Sequence, residues 1–212
     1  MRVTENETYP DRRDALSHDW FHFLSRHFPK AVLVPIYNHP DHIPHTLTTL
    51  SPNAIILSNG NDWGSAPERD QTEIQIITYS ITNHIPILGI CRGHQVLNIY
   101  FSGQICENIK QKTQVDHVAK EHTVELIAPF GSGTLAVNSF HNQGICPDDL
   151  APSLKVFAQS PDDIIEGLYH PQLPIIGIQW HPERPNPSTN FDQRLIKRLF
   201  LEGAFWNNEG KV

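Results

Sequence analysis

The sequence predicts an α/β domain of three layers, with a mainly parallel central sheet and a small antiparallel insertion. Two patterns carry this expectation. Short, near-continuous apolar runs recur along the chain, and amphipathic stretches of helical period separate them. Apolar runs without alternation suit parallel strands covered on both faces. A third pattern, close-set short strands and turns between residues 121 and 170, marks the insertion.

The elements follow in chain order. Leu16, Trp20, Phe23, Leu24 and His27 or Phe28 fall at helical spacing, and residues 31–35 (AVLVP) read as a buried strand. Residues 54–58 (AIILS) form the next strand. Pro67 then opens a helix over residues 68–83, with Ile74, Ile77 and Ile81 on one face. A strand at 86–90 (PILGI) runs into a helix at 93–101. Within the insertion, residues 123–127, 154–159 and 164–169 read as strands joined by turns containing Gly, Pro and Asp. A last strand at 175–179 (IIGIQ) precedes a helix over 190–205 that turns Phe191, Leu195, Leu199 and Phe200 inward. No repeat, low-complexity run or linker divides the 212 residues, so residues 1–212 are expected to form one domain.

Composition narrows the function. Sixteen Lys and Arg stand against 23 Asp and Glu, a net charge of −7, and no basic cluster offers a footprint for nucleic acid. No apolar stretch reaches the roughly 18 residues a membrane span needs, and the start, MRVTENETYPDRR, has no apolar signal core. Cys91, Cys106 and Cys146 are too few and too scattered for a disulfide framework, so a reducing cytoplasm is the expected setting.

The sharpest local signal is GICRGHQ at 89–95, a G-x-C-x-G between a strand and a helix. Such an elbow lifts a nucleophile clear of the sheet on a strained turn, and the small flanking residues let the backbone pass close by. The helix start aims free N–H groups at the sulfur, which favours thiolate, and the Arg92 N–H is placed to donate to a developing oxyanion. The bland alternative is one more buried cysteine at a strand end. A second feature weighs against it. QWHPE at 179–183 follows the last apolar strand, and strand C-termini in a parallel sheet share one edge, where Cys91 and His181 can meet. Glu183, two residues on, points the same way as His181 in an extended segment. An α/β-hydrolase would place its acid before the histidine, so this order excludes that class.

These residues resemble the class I glutamine amidotransferase family, which pairs a G-x-C-x-G-x-Q elbow with a distal H-P-E. The elbow is most similar to the free-standing, peptidase C26-like gamma-glutamyl hydrolases. Three further stretches agree: RVT at 2–4 with the 12–20 segment read as the helix after it, LSNGND at 57–62 against L-S-G-G-x-D, and VNSFHNQ at 137–143 against V-N-S-x-H-x-Q. The resemblance implies a three-layer flavodoxin-like fold and hydrolysis of a gamma-glutamyl amide without metal or organic cofactor. It implies Cys91 as nucleophile, His181 as base and Glu183 as its orienter, with the N–H groups of Gly60 and Arg92 as the oxyanion hole. Asn61, Gln95, Ser139, Phe140 and His141 form the implied substrate-binding set. Asn59 replaces the family's first glycine, and Asn is the next-best residue if that position needs a positive φ. Chain length and the WHPER ending lean towards members that act on gamma-glutamyl-CDP-amidate in surface-polysaccharide clusters; gamma-glutamyl-gamma-aminobutyrate hydrolysis is the alternative leaving group. The partner is a small-molecule gamma-glutamyl substrate, with a synthetase partner (to which a glutaminase component would pass ammonia) or a second copy of the chain left open.

Other features read as ordinary. His39, His42 and His45 lie in a stretch broken by prolines and suit a polar loop and helix start better than a metal site. Asp14, His18 and His22 share a helical face opposite the apolar stripe and read as solvated. Arg69, Asp70 and Glu73 read as an exposed first-turn cluster. His117 and His122 flank the presumed pocket, where either a substrate contact or a surface role fits. Cys106 and Cys146 read as packing or loop cysteines.

Overall fold

A computed structural model describes residues 1–207 of the chain. Strands β1 (Arg2–Glu5) and β2 (Arg12–Ala15) pair as an antiparallel ribbon outside the main sheet. Helices α1 (His18–His27) and α2 (Ile43–Leu50) follow, then β3 (Ile55–Leu57), α3 (Pro67–Thr82), β4 (Ile87–Ile90) and α4 (Arg92–Tyr100). After the short α5 (Ile109–Thr113) come β5 (Val118–Leu126), β6 (Gly133–Phe140), β7 (Lys155–Gln159), β8 (Ile165–Tyr169), β9 (Ile175–Ile178) and α6 (Thr189–Glu202). One sheet of seven strands runs β3-β4-β9-β8-β7-β5-β6. The β3-β4-β9 ladders are parallel, and the antiparallel strands extend the same sheet from β9 outward.

Alternation along the central strands makes the three layers. Leu88 and Ile90 of β4 and Ile176 and Ile178 of β9 join one core with Trp20, Phe23 and Leu24 of α1 and Leu195, Ile196 and Leu199 of α6. Ile87 and Ile175, on the opposite pleat, join a second core with Ile43 and Leu47 of α2, Ile76 and Ile77 of α3, and Val96 and Leu97 of α4. Both faces are therefore covered, which is why these strands read as unbroken apolar runs. Among the described residues no helix is long and apolar enough to cross a membrane.

Several local expectations are corrected. Residues 31–35 form no strand, and Val32 is 86% exposed. An apolar run becomes a strand only by joining a ladder, and Pro29 and Pro35, which lack an N–H to give one, bracket this segment. Residues 12–15 are β2 rather than the start of a helix; α1 begins only after Ser17, whose hydroxyl accepts from the Asp19 N–H. Asp14 is thus in the ribbon, where its carboxylate accepts from the Asn38 side chain and backbone N–H, and it shares no helical face with His18. On α3 the inward face is Arg69, Thr72, Glu73, Ile76, Ile77 and Ser80, with Ile74 and Ile81 only half-buried. The helix is rotated because its first turns face a polar site rather than the core.

Candidate active site

The parallel register sets the site. Ile90 pairs with Ile178 and Leu57 with Gly89, so the segments leaving β3, β4 and β9 emerge at one sheet edge. Cys91 follows β4 directly with φ +51°, a left-handed conformation that costs an L-residue energy and here turns the chain from strand into helix. Tight packing makes Gly93 obligatory: a Cβ there would lie 2.2 Å from the Leu57 carbonyl oxygen. The Cys91 N–H donates to the Ile178 carbonyl at 2.8 Å, which ties the elbow to β9.

His181 is buried just beyond β9. Its backbone N–H donates to Asn138 Oδ1 and its carbonyl accepts from Asn138 Nδ2, both at 2.8 Å, so β6 holds the loop in place. The imidazole Nδ1 lies 2.8 Å from Glu183 Oε1. A carboxylate only accepts, so Nδ1 carries the proton and Nε2 is the basic nitrogen; among the described residues Nε2 makes no hydrogen bond. Cys91 and His181 line the same cavity, of about 320 Å³. Burial and the Glu183 charge push the Cys91 thiol up to about 12, against the Arg92 N–H, which hydrogen-bonds to it. Burial thus works against the thiolate that the helix start favours.

Behind the cavity lies a buried charge network that the sequence reading placed at the surface. Arg69 and Glu73 pair at 2.8 Å, and the Arg92 guanidinium is paired with both Glu73 and Asp70. All four side chains are buried, because α3 packs under the β3 loop and not against solvent. Two cations meet two anions, so the cluster is neutral. Burial pulls Arg69 down to about 10 and Arg92 to about 9, both still cationic at neutral pH. Arg69 donates to the carbonyls of Ser58 (2.7 Å) and Asn59 (3.0 Å), gripping the loop that carries Gly60. The i, i+4 spacing of Arg69 and Glu73 was the one visible signal of this pair.

The loop's positive φ falls on Gly60 (+121°) and not on Asn59, so Asn59 needs no special backbone. Its amide instead donates to Glu183 Oε1 at 3.2 Å, a contact to the His181–Glu183 pair that the sequence did not disclose. Gly60 and Arg92 both border the cavity, as do Gln95, Phe140 and His141. Gln95 Nε2 donates to the Gln143 carbonyl (3.0 Å) and to Gln179 Oε1 (3.2 Å). Phe140 meets His181 edge-on at 5.6 Å, and the Arg184 guanidinium lies 4.5 Å over the Phe140 ring. Two expected substrate contacts are already engaged. Asn61 lines the cavity, but its amide exchanges hydrogen bonds with the Val3 N–H and carbonyl, fastening β1 to the loop. Ser139 is fully buried and donates its hydroxyl to the His117 carbonyl at 2.6 Å, so that hydroxyl faces the sheet. The His39–His45 stretch forms a single 3-10 turn and the start of α2, and none of its histidines lines the cavity.

Taken together, a cysteine on a strained elbow, an oriented imidazole and backbone N–H groups around one cavity can carry out acyl transfer through a tetrahedral intermediate. Comparison with known proteins agrees with that chemistry. The chain is 30% identical over 211 residues to gamma-glutamyl-CDP-amidate hydrolase of Campylobacter jejuni, covering 94% of each chain. It is 27% identical over 184 residues to gamma-glutamyl-gamma-aminobutyrate hydrolase of Escherichia coli O157:H7, covering 76% of this chain and 68% of the relative. In fold it matches a GMP synthase component of Thermoplasma acidophilum with a TM-score of 0.65 and 21% identity, over 92% of this chain and 90% of that one. The family model for peptidase C26 matches residues 2–183. The chain belongs to the peptidase C26 family, on the fold of the class I glutamine amidotransferases.

Proposed function

We propose that this chain hydrolyses the gamma-glutamyl amide of gamma-glutamyl-CDP-amidate, releasing glutamate and cytidine diphosphoramidate, with Cys91, His181 and Glu183 as its catalytic residues. The observation that carries the chemistry is that the Cys91 elbow and His181, whose Nε2 makes no hydrogen bond among the described residues, border one cavity. The likeness to the Campylobacter jejuni enzyme over nearly the whole chain supports the leaving group, and Arg2 and Arg184 on the cavity wall suit a diphosphate. Surface-polysaccharide modification is the setting such a product implies, and a cytoplasmic location goes with it.

In this mechanism His181 takes the Cys91 proton as the sulfur attacks the gamma-glutamyl carbonyl. Glu183 stabilises the imidazolium that forms. The Gly60 and Arg92 N–H groups receive the oxyanion, a contribution of about 3–4 kcal/mol per donor in measured analogues. His181 then protonates the departing nitrogen and later activates the water that cleaves the thioester. Gln95 and His141 serve the glutamyl head group, while Asn61 and Ser139 hold the backbone that presents it.

Glutamate release by the chain alone tests this, with gamma-glutamyl-CDP-amidate, gamma-glutamyl-aminobutyrate and glutamine compared side by side. The expected result is fast turnover of the nucleotide substrate that is abolished in Cys91→Ala. Uniformly weak turnover of all three would overturn it in favour of a glutaminase component that needs a synthetase partner.

A further inference from the structure

A second buried cluster lies behind the Phe140–His141 wall of the cavity, and of its side chains the proposed reaction uses only His141. Glu166 projects from β8 with no exposure, and among the described residues neither of its carboxylate oxygens accepts a hydrogen bond. Three imidazoles converge on its Oε1: His117 Nδ1 at 3.6 Å, His122 Nε2 at 3.6 Å and His141 Nε2 at 3.3 Å. The ligand-capable atoms of His117, His122 and Glu166 all lie within 4.8 Å of one another. His117 and His141 are buried, and the His122 side chain is 19% exposed.

The outer ring edges settle the protonation of two of these histidines. His117 Nε2 lies 2.9 Å from Asp162 Oδ2, and His141 Nδ1 lies 3.0 Å from the Gln143 carbonyl oxygen. Both partners only accept, so those nitrogens carry the protons. The nitrogens that face Glu166 are then bare in the neutral rings and turn lone pairs towards a carboxylate. Those lone pairs and the carboxylate repel unless a proton, on a ring or on the carboxyl, or a cation lies between them.

The distances distinguish the two. Charge-assisted N–H···O contacts run at about 2.7–2.9 Å, as His117–Asp162 (2.9 Å) and His181–Glu183 (2.8 Å) do in this chain. The contacts on Glu166, at 3.3–3.6 Å, are longer. They are close to the edge, about 3.4 Å, of a tetrahedron whose metal–ligand bonds are about 2.0–2.1 Å, and the ligand atoms of His117, His122 and Glu166, all within 4.8 Å of one another, need only a small inward shift to close on an ion. The charges also balance, since a dication would offset Glu166 and Asp162. We propose that His117, His122 and Glu166 form a binding site for a divalent first-row transition ion such as zinc, with water completing the coordination. Asp162 acts as the outer partner that orients His117, an arrangement general to metal-bound histidines. Two imidazoles and a carboxylate suit zinc better than magnesium or calcium, which take oxygen ligands. The ligands come from the residue before β5, from β5 itself and from β8. A bound ion therefore clips the antiparallel half of the sheet together directly behind the segment that lines the cavity.

The test uses the full chain freed of any affinity tag, stripped with a chelator and titrated with zinc or cobalt. The expected result is one equivalent of tightly held metal, the intense visible bands of four-coordinate cobalt, and a rise in thermal midpoint with zinc. Cys91→Ala keeps all three, whereas Glu166→Gln and His122→Gln each weaken binding at least tenfold. Failure of the folded wild-type chain to take up either ion would overturn the proposal, whatever the variants do. So would uptake that survives Glu166→Gln but vanishes in Cys91→Ala, since the ion would then sit on the Cys91–His181 pair.

Discussion

Cys91 combines two costs that an ordinary core cysteine does not bear, a positive φ and the charge of a nearby carboxylate, Glu183. The raised value, about 12, has a direct consequence for reactivity. The thiolate is the nucleophile, and well below its pKa the thiolate fraction grows about tenfold per pH unit. Iodoacetamide modification of Cys91 in the free chain, followed on its own peptide by mass spectrometry, is therefore expected to climb steadily from pH 7 to 10. A plateau near neutrality would show instead a thiolate held by His181. Substrate turnover need not follow that slope, because His181 Nε2 is free to accept the proton during attack. At the same scale Asn59 shows how a departure from a family pattern acquires a use: the side chain that replaces a hydrogen supports Glu183.

At the scale of elements, the site depends on how closely α4 can approach the sheet. Gly93, in its first turn, sits against the β3 carbonyl of Leu57, and backbone cannot swing aside as a flexible side chain can. Gly93→Ala is expected to cost about 3 kcal/mol or more, read as a lowered urea midpoint with an unchanged m-value. Full retention of stability would mean that α4 shifts freely, and the elbow would then not be held by packing. Helix α3 makes the complementary contribution. Its first turns spend Arg69, Asp70 and Glu73 on Arg92 and on the Gly60 loop, so the two proposed oxyanion donors are braced from behind by one neutral charge network.

For the molecule as a whole, the two cores share strands β4 and β9, with alternate residues of each strand committed to opposite faces. Neither face can lose its packing without exposing strands on which the other depends. Urea unfolding followed by backbone circular dichroism and by tryptophan fluorescence is expected to give coincident transitions. Trp20 and Trp180 lie in one core while Trp63 packs against the other, so the fluorescence samples both faces. Two separated midpoints would refute this coupling.

What the sequence determined by itself was whatever depends on local order. The unbroken apolar runs at 55–57, 87–90 and 175–178 announced strands buried on both faces, and the helices behind Pro67 and after Cys91 began within a residue of their expected starts. The Cys91 elbow and the His181–Glu183 contact were legible because a G-x-C-x-G turn and an H-x-E ending a strand need only short-range geometry. Tertiary structure decided what depends on a partner far along the chain. Residues 31–35 had the composition of a strand and no ladder to join, while Arg12–Ala15 found one in β1. Arg69, Asp70 and Glu73 looked like a solvated first turn until Arg92, some 20 residues away, required counter-charges in the interior. Asn61 and Ser139 had the polarity of substrate contacts, and β1 and the His117 carbonyl claimed them first. Glu166 and the three imidazoles around it come from segments up to 49 residues apart, and only the antiparallel register of β5, β6 and β8 turns them towards one point. The physical reason is the same throughout: a polar side chain is defined by the partner that satisfies it, and that partner is set by the fold.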